Sequence, residues 1–540
     1  MSNKQNFIKG TFILVIANAV SKILGAVFKI PLTYILREEG MAIYSTAFSV
    51  YIMILSFITS GVSMAISKMV AEELALKHKG ETRKIVATST ALLAAAGLFG
   101  SAVMFFGAEF FAGAMKDLKA AHAIRMLSPS IFFVAVGMVY KSYYQGRVNM
   151  VPTAVSQVIE ALVRLFAGYA LAVFCSKFAM EITAAGAIAG VTIGEFVATA
   201  VLIALYLPDH RRLAKYKAAN SSKKICLSIG AVAVPMIISS SVSSAMNLAD
   251  ITVIRSQLLK ITFTPQTAEQ FLLRFSSYTT LFDTLLDTLR LSVDGARWLY
   301  GAYSGYALTI FHLPVGIMAT LGVSILPVIA GALAQNRRKQ AEYTAGVAMK
   351  ITMLAALPCA VMLALFSEPL LELLFHNSAS SGMLRLLAPC LLFVCVSQLL
   401  TAILNASGQI VRPFVHGLVG MCFKLAGNLL LVSNPHLHIM GAVISANISY
   451  FVVVLLDYIA VRRRMHIRFD VRNTFIKPLL SAAVMGAVMA LLYRPMCIIF
   501  SNETAALAAT GFVGCVTYAM MLFLTTAVTK KELKNLKMGS

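Results

Sequence analysis

The stretch RMLSPSIFFVAV at Arg125–Val136 recurs as RLLAPCLLFVCV at Arg385–Val396. Arg, Leu, Pro, Phe, Val and Val keep their order and spacing, 260 positions apart in a chain of 540 residues. Further echoes keep nearly the same offset. SGVSMAIS at Ser60–Ser67 is answered by LGVSILPV at Leu321–Val328, Pro152 by Pro413, and AAGAIAG at Ala184–Gly190 by IMGAVIS at Ile439–Ser445. Each echo alone is weak, because small residues are common in apolar helices. Their shared order makes a duplication. In each opening phrase the arginine reads as an anchor at the external end of a helix. The proline reads as a first-turn residue, where its missing N–H costs little.

The runs around these phrases are those of a membrane protein. The chain is 59% hydrophobic and only 13% charged, against about 25% charged in a soluble globular chain, and its mean hydropathy is +0.80. A bilayer core about 30 Å thick needs about 20 apolar residues per helical span. That rule predicts fourteen helices, near 10–35, 42–66, 86–108, 124–144, 153–175, 181–206, 226–256, 299–328, 346–367, 384–404, 413–432, 439–461, 475–493 and 505–527. The run after Lys4 and Lys9 continues past the cleavage-like Ala17-Asn18-Ala19, so an uncleaved first span is expected. The eight cysteines lie mostly in apolar runs and form no CxxC, which fits small buried hydrophobes.

The net charge of +23 would suggest nucleic acid in a soluble chain. Here Lys and Arg cluster in alternate short loops, as at Lys77, Lys79, Arg83 and Lys84, at Arg211 and Arg212, and at Arg462, Arg463 and Arg464. The alternation places both termini in the cytoplasm. No soluble basic domain is left to hold nucleic acid. One loop, 259–297, is long and external. Within it FDTLLDTLRLSVD sets Phe282, Leu285, Leu286 and Leu289 on one helical face, with Asp283, Asp287, Arg290 and Asp294 elsewhere. That pattern fits an amphipathic helix on the outer membrane surface or a helical hairpin capping the protein.

The duplication divides the all-α polytopic chain into an N-lobe of spans 1–6 (1–217) and a C-lobe of spans 7–12 (218–465, carrying the 259–297 insert). Residues 466–540 hold two extra C-terminal helices, spans 13–14, and a cytoplasmic tail. Six spans is an even number, so the repeats are parallel. Two parallel six-helix lobes around a V-shaped central cavity are an established transporter plan.

Ionisable residues inside spans are costly and usually face a cavity or a partner. Lys22 and Lys29 lie seven apart on one face of span one, with Asn18 and Gly25 on the same stripe, a cationic surface suited to an anion. Glu160 and Arg164 stand at i,i+4 in span five, either as a self-neutralising pair or as cavity residues. Lys424, in the corresponding region of span eleven, has no such acid. Span seven carries Asp250 and Arg255 after the serine-rich SSSVSSAMN, and span six carries Glu195 beside Gly194. Asn18, Lys22, Lys29, Arg164, Arg255 and Lys424 are therefore the candidate substrate contacts. Asp250, Glu160 and Glu195 are the candidates for coupling to a proton or a sodium ion. Among the histidines only His312 reads as buried at depth. No Walker A loop, HExxH or nucleophile elbow is present, and no metal site or organic cofactor is expected.

SKILGAVFKIPL (Ser21–Leu32), GVSMAISKMVAEE (Gly61–Glu73) and YYQGRVNMVPTAVSQVIEALVR (Tyr143–Arg164) resemble the polysaccharide exporter and flippase superfamily, which also holds the multidrug and toxin extrusion transporters. The likeness is greatest to the stage V sporulation protein B group of Firmicutes, relatives of the lipid II flippases, and covers essentially the whole chain. It implies a polyprenyl-pyrophosphate-linked glycan, such as lipid II, carried from the inner to the outer leaflet of a bacterial plasma membrane. The flippase motif S-R-x-x-G is matched by Ser21, Lys22 and Gly25, with Lys for Arg. The Arg-Asp pair that follows it is replaced by Phe28-Lys29. Membrane lipids and cell-wall synthesis proteins are the expected partners, and a monomer is expected. The alternative is an ion-coupled exporter of cationic drugs. A glycan polymerase would need a large external loop with catalytic acids.

Overall fold

A computed structural model describes residues 2–59, 61–76, 78–147, 149–214, 216, 221–274, 285–409, 411–465, 470–500 and 502–527, some of them, including 2–16, by backbone alone. It is all-helical apart from an isolated antiparallel bridge between Thr262 and Arg290. The helices are α1 (Ser2–Thr59), α2 (Val62–Ala75), α3 (Lys79–Phe106), α4 (Ala108–Ala114), α5 (Ala121–Gly146), α6 (Val151–Cys175), α7 (Met180–Leu213), α8 (Ser222–Leu258), α9 (Pro265–Arg274), α10 (Leu285–Thr288) and α11 (Val293–Gly301). After a π segment at Ala302–Ala307 come α12 (Leu308–Ala334), α13 (Arg338–Leu365), α14 (Ser367–Phe375), α15 (Ser381–Ala406), α16 (Val411–Leu431) and α17 (Ile439–Met465). A second π segment at Arg472–Ile476 leads into α18 (Lys477–Phe500), and α19 (Glu503–Leu524) is the last described helix. Among the described residues eleven stretches are long and apolar enough to cross a membrane.

The packing is that of lipid-facing helices. Phe106, Phe110, Phe512 and Ile498 are 83%, 75%, 71% and 81% exposed, while Ser130, Ser142 and Thr46 are buried. With no water to bond, buried hydroxyls turn back to carbonyls of their own helix: Ser142 Oγ donates to Met138 O at 2.7 Å and Thr46 Oγ1 to Ala42 O at 2.7 Å.

The chain divides into two units, Met1–Gly305 and Tyr306–Ser540. In the first, α5 packs between α3 and α7, α6 lies on α7 and α1, and α8 lies on α1, α2 and α3. Its core joins Val62, Ile66 and Val70 to Tyr143, Tyr206, Ile225 and Ile229. In the second, α15 packs on α12, α13 and α17, α16 lies on α17, and α18 lies on α13 and α19. Its core joins Met353, Leu399, Ile403, Met489 and Tyr518. The pairings α3–α5, α5–α7 and α6–α7 thus recur as α13–α15, α15–α17 and α16–α17, in the helices that carry the sequence echoes. The division differs from the lobe boundaries expected from sequence: α8 to α11 fall in the first unit, and α18 and α19 pack with the second.

Several local expectations change. The first two spans form one helix, α1, sharply bent at Arg37, whose φ is 50°. The span expected at 42–66 stops at Thr59, and Gly61, at φ 74°, separates it from α2; glycine takes this left-handed conformation without a Cβ clash. Pro129 and Pro389 are interior, in the third turns of α5 and α15, not at their starts. Pro129 cannot donate to Arg125 O, and Ser128 Oγ does so instead at 2.8 Å. Arg125 itself pairs with Glu109 at 2.6 Å. In the insert, the helix starting at Leu285 ends at Thr288, where Leu289 turns to φ 53°. Ser292 then caps α11, its Oγ accepting from Gly295 N at 3.0 Å. No continuous amphipathic helix runs from Leu285 to Asp294, and Phe282 and Asp283 lie outside the described residues.

Candidate functional site

The site in the first unit is built by glycines. Gly186, Gly190 and Gly194 recur every four residues along one face of α7. A Cβ on Gly190 would land on the backbone of Gly168 in α6, and one on Gly194 would lie 3.0 Å from Glu160 O and 3.5 Å from Arg164 Cβ. Small residues let helix backbones approach this closely in a membrane. The approach sets Glu195 beside the Glu160–Arg164 turn.

The result is a network on three helices. Arg164 Nη2 lies 2.6 Å from Glu160 Oε1 and 3.9 Å from Glu195 Oε1. Lys141 of α5 lies 3.7 Å from Glu160 Oε2. The four side chains are 9–22% exposed. Arg164 Nε and Gln157 Oε1 are buried without a hydrogen-bond partner. The two acids balance the two bases, so the network is compact and near neutral. It includes the self-neutralising i,i+4 pair and extends it. Lys141 escaped the sequence reading because its partner is 19 positions away on another helix.

α1 packs on the same helices. Phe28 is buried, and a Cβ on Gly168 would lie 2.9 Å from its ring. Gly168 is one turn from Arg164, so Lys29, half-buried next to Phe28, belongs to the helix pair that carries Arg164. The side chains of Asn18 and Lys22 lie outside the described residues.

Arg255 is not a free cavity cation. It is 3% exposed and ion-paired with Asp117 at 3.0 Å. It also donates to Thr46 Oγ1 at 2.6 Å, Met115 O at 3.2 Å and Ala42 O at 3.3 Å. Its guanidinium lies 4.5 Å from the Tyr300 ring centroid. The reading of Arg255 as a substrate contact is thereby corrected: four protein oxygens occupy its Nη donors. Asp250 is buried five residues earlier on α8. His312 is exposed rather than buried.

In the second unit Lys424 is half-buried on α16 and Asn428, one turn on, is fully buried. The same helix carries His416, one member of a pair with Asp457 of α17 that sequence reading missed. His416 Nδ1 lies 2.7 Å from Asp457 Oδ1, and Thr401 Oγ1 donates to Asp457 Oδ2 at 3.3 Å. Asp457 is completely buried. It lies in the apolar run FVVVLLDYIA, and an acid in such a run is the signal that marks it. Asp117 gave no signal, standing in the ordinary loop MKDLK. Among the described residues no three His, Cys, Asp or Glu side chains are grouped to hold a metal ion.

Comparison with known proteins places this geometry in context. The family described as "Polysaccharide biosynthesis protein" matches residues 7–332, and the family described as "Lipid II flippase MurJ" matches residues 295–508. Stage V sporulation protein B of Bacillus subtilis (strain 168) is 24% identical over 539 residues, spanning 99% of this chain and 98% of that protein. The solved structure of lipid II flippase MurJ in an inward closed conformation superposes with a TM-score of 0.66 at 17% identity, over 94% of this chain and 98% of that one. The inward-facing structure of a multidrug resistance MATE family transporter of the MOP superfamily superposes with a TM-score of 0.64 at 13% identity, over 83% of this chain and 94% of that one.

Proposed function

This chain belongs to the polysaccharide biosynthesis protein family, and from that premise we propose that it is an alternating-access flippase for a polyprenyl-pyrophosphate-linked glycan. The cargo, a lipid II-like cell-wall precursor, moves from the inner to the outer leaflet of a bacterial plasma membrane, for peptidoglycan or spore-cortex synthesis. The chain crosses the membrane fourteen times with both termini in the cytoplasm: α1 counts twice, either side of Arg37, and α8 and α12 are spans. Two six-helix lobes, 1–217 and 218–465, rock about a central cavity, and spans 13–14 flank them. The recurring helix pairings and the alternating basic loops support this plan. On this reading the chain is a transporter, not an enzyme, works as a monomer, and meets cell-wall synthesis proteins at the membrane.

The observation that carries the reading is Arg164, half-buried between two carboxylates with one donor, the buried Nε, unused. A pyrophosphate accepts hydrogen bonds from a guanidinium in bidentate fashion and competes with Glu160 for both Arg164 and Lys141. Glu160 and Glu195, released from their bases by the substrate, are the groups through which substrate exchange is coupled to a proton or a sodium ion. From the sequence, Lys22 and Lys29, with the polar Asn18 on the same stripe of α1, and Lys424 of the second lobe are the further candidate substrate contacts. The test is accessibility of labelled lipid II to an impermeant reagent in proteoliposomes, with and without the protein; equal accessibility overturns the reading.

A second reading is an ion-coupled exporter of cationic drugs. The buried acids Glu160 and Glu195 favour it, because a cation has two carboxylates to meet. Efflux of a cationic dye, abolished by Glu195→Gln, with no lipid II movement would establish it in place of the first.

A further inference from the structure

We infer that Asp117, Arg255 and Arg297 form a clasp that holds α8 and α11 to the first lobe and that opens in each transport cycle; the inference rests on the alternating-access reading above. Asp117 is 1% exposed, in the turn before α5. Its Oδ2 accepts from Arg255 Nη1 at 3.0 Å and its Oδ1 from Arg297 Nε at 2.9 Å. One carboxylate thus closes on the guanidinium at the end of α8 and the guanidinium in α11. By the sequence repeat both arginines belong to the second lobe and Asp117 to the first.

The surrounding contacts follow the same division. Gly301 sits on the backbone of Glu38, Gly305 sits 2.7 Å, measured from a built Cβ, from Met41 Cβ, and Ser45 Oγ lies 3.1 Å from Ser304 Oγ. All three contacts fall just past the bend of α1 at Arg37. Around them Lys119 lies 2.7 Å from Glu39 and 3.6 Å from Asp294, and Arg297 lies 3.6 Å from Glu39 and also pairs with Asp294. Counted with the Asp117 pairs, three acids meet three bases.

The chemistry is that of a seam that separates. A permanent contact between helices is as stable or more stable when built from apolar side chains, because burying charge carries a desolvation penalty. A polar seam at the water-facing end of the bundle recovers hydration when it parts. Small residues on the mating face leave few interlocking side chains to disengage. The insert moves with the clasp, since Phe263 N donates to Leu289 O at 2.8 Å and Thr262 bridges Arg290. The two ends of the insert are thereby tied together between the two arginines.

The test uses the full-length chain with its native cysteines replaced, in oriented proteoliposomes. Ser304 is 8% exposed. S304C is labelled from outside by an impermeant maleimide, alone and with D117N or R297Q. Either variant should raise the labelling rate about tenfold or more, tenfold being 1.4 kcal/mol of closed-state preference. Unchanged labelling in monodisperse D117N and R297Q overturns the clasp. If D117N does not fold, R297Q decides alone. In the pair S45C/S304C, an oxidised disulfide should stop movement of labelled lipid II, and reduction should restore it. Full movement by the cross-linked protein also overturns the clasp. Labelling requires no transport, so a wild type that moves no lipid II while D117N opens the seam removes the flippase reading and leaves the clasp standing.

Discussion

Gly190 of α7 rests on Gly168 of α6, close enough that a Cβ on Gly190 would occupy the Gly168 backbone. Backbone cannot move aside as a side chain can. Gly190→Ala should therefore cost about 1–3 kcal/mol, the usual range for overpacking, and loosen Glu195 from Arg164. Gly331→Ala is the control, since nothing lies within 4 Å of its added Cβ. Thermal unfolding in detergent should separate the two variants, and equal midpoints would refute the close-approach argument.

Arg164 is the hub of its network. Arg164→Ala leaves Glu160 and Glu195 short of a counter-charge and should cost about 3–5 kcal/mol, with loss of lipid II movement. The double change Glu160→Gln/Arg164→Gln removes charge in pairs and should restore much of the stability but not the movement. Recovered transport in the double variant would count against a pyrophosphate contact at Arg164.

Lys22 and Lys29 sit seven apart on the α1 stripe. Lys22→Ala or Lys29→Ala, expressed at wild-type level, should abolish complementation of a flippase-depleted strain, whereas Lys22→Arg should retain it. Normal growth with either alanine variant removes that residue from the site.

Asp457 is wholly buried with His416 and Thr401 as its partners. His416→Ala should cost about 3–5 kcal/mol by leaving the carboxylate unpaired. Asp457→Asn, which keeps the shape without the charge, should cost less. The opposite ranking in thermal unfolding would show that the pair is not held by charge.

Ser128 caps the carbonyl that Pro129 leaves unbonded. Ser128→Ala should cost about 0.5–1.5 kcal/mol, the net worth of one hydrogen bond. The second copy has Ala388 before Pro389, so the same serine introduced there, as Ala388→Ser, should not destabilise the protein. A loss at Ala388→Ser equal to that at Ser128→Ala would refute the capping account.

What could be read without coordinates was local. Hydropathy is summed over twenty successive residues, so each apolar run declares its own helix. The pair Glu160–Arg164 was visible because i,i+4 residues share a helical face whatever the helix packs against. Glu195 was visible as a charge in an apolar run, and Asp457 carried the same mark. The duplication, too, needs only the order of letters from Arg125 and Arg385. The bend at Arg37 and the stop at Thr288 were not visible, because both are backbone turns at residues with no special need for them.

The tertiary structure alone decided which charges meet. Arg255 reaches Asp117 across 138 positions and Arg297 reaches it across 180. Such pairings depend on how closely helices approach and at what angle, and the approach is set by glycines at Gly168, Gly190 and Gly301 acting between helices. A lone arginine in a span reads the same whether it faces a substrate or a buried aspartate. Only the position of Asp117 turned Arg255 from a cavity cation into one of the two arginines of a clasp.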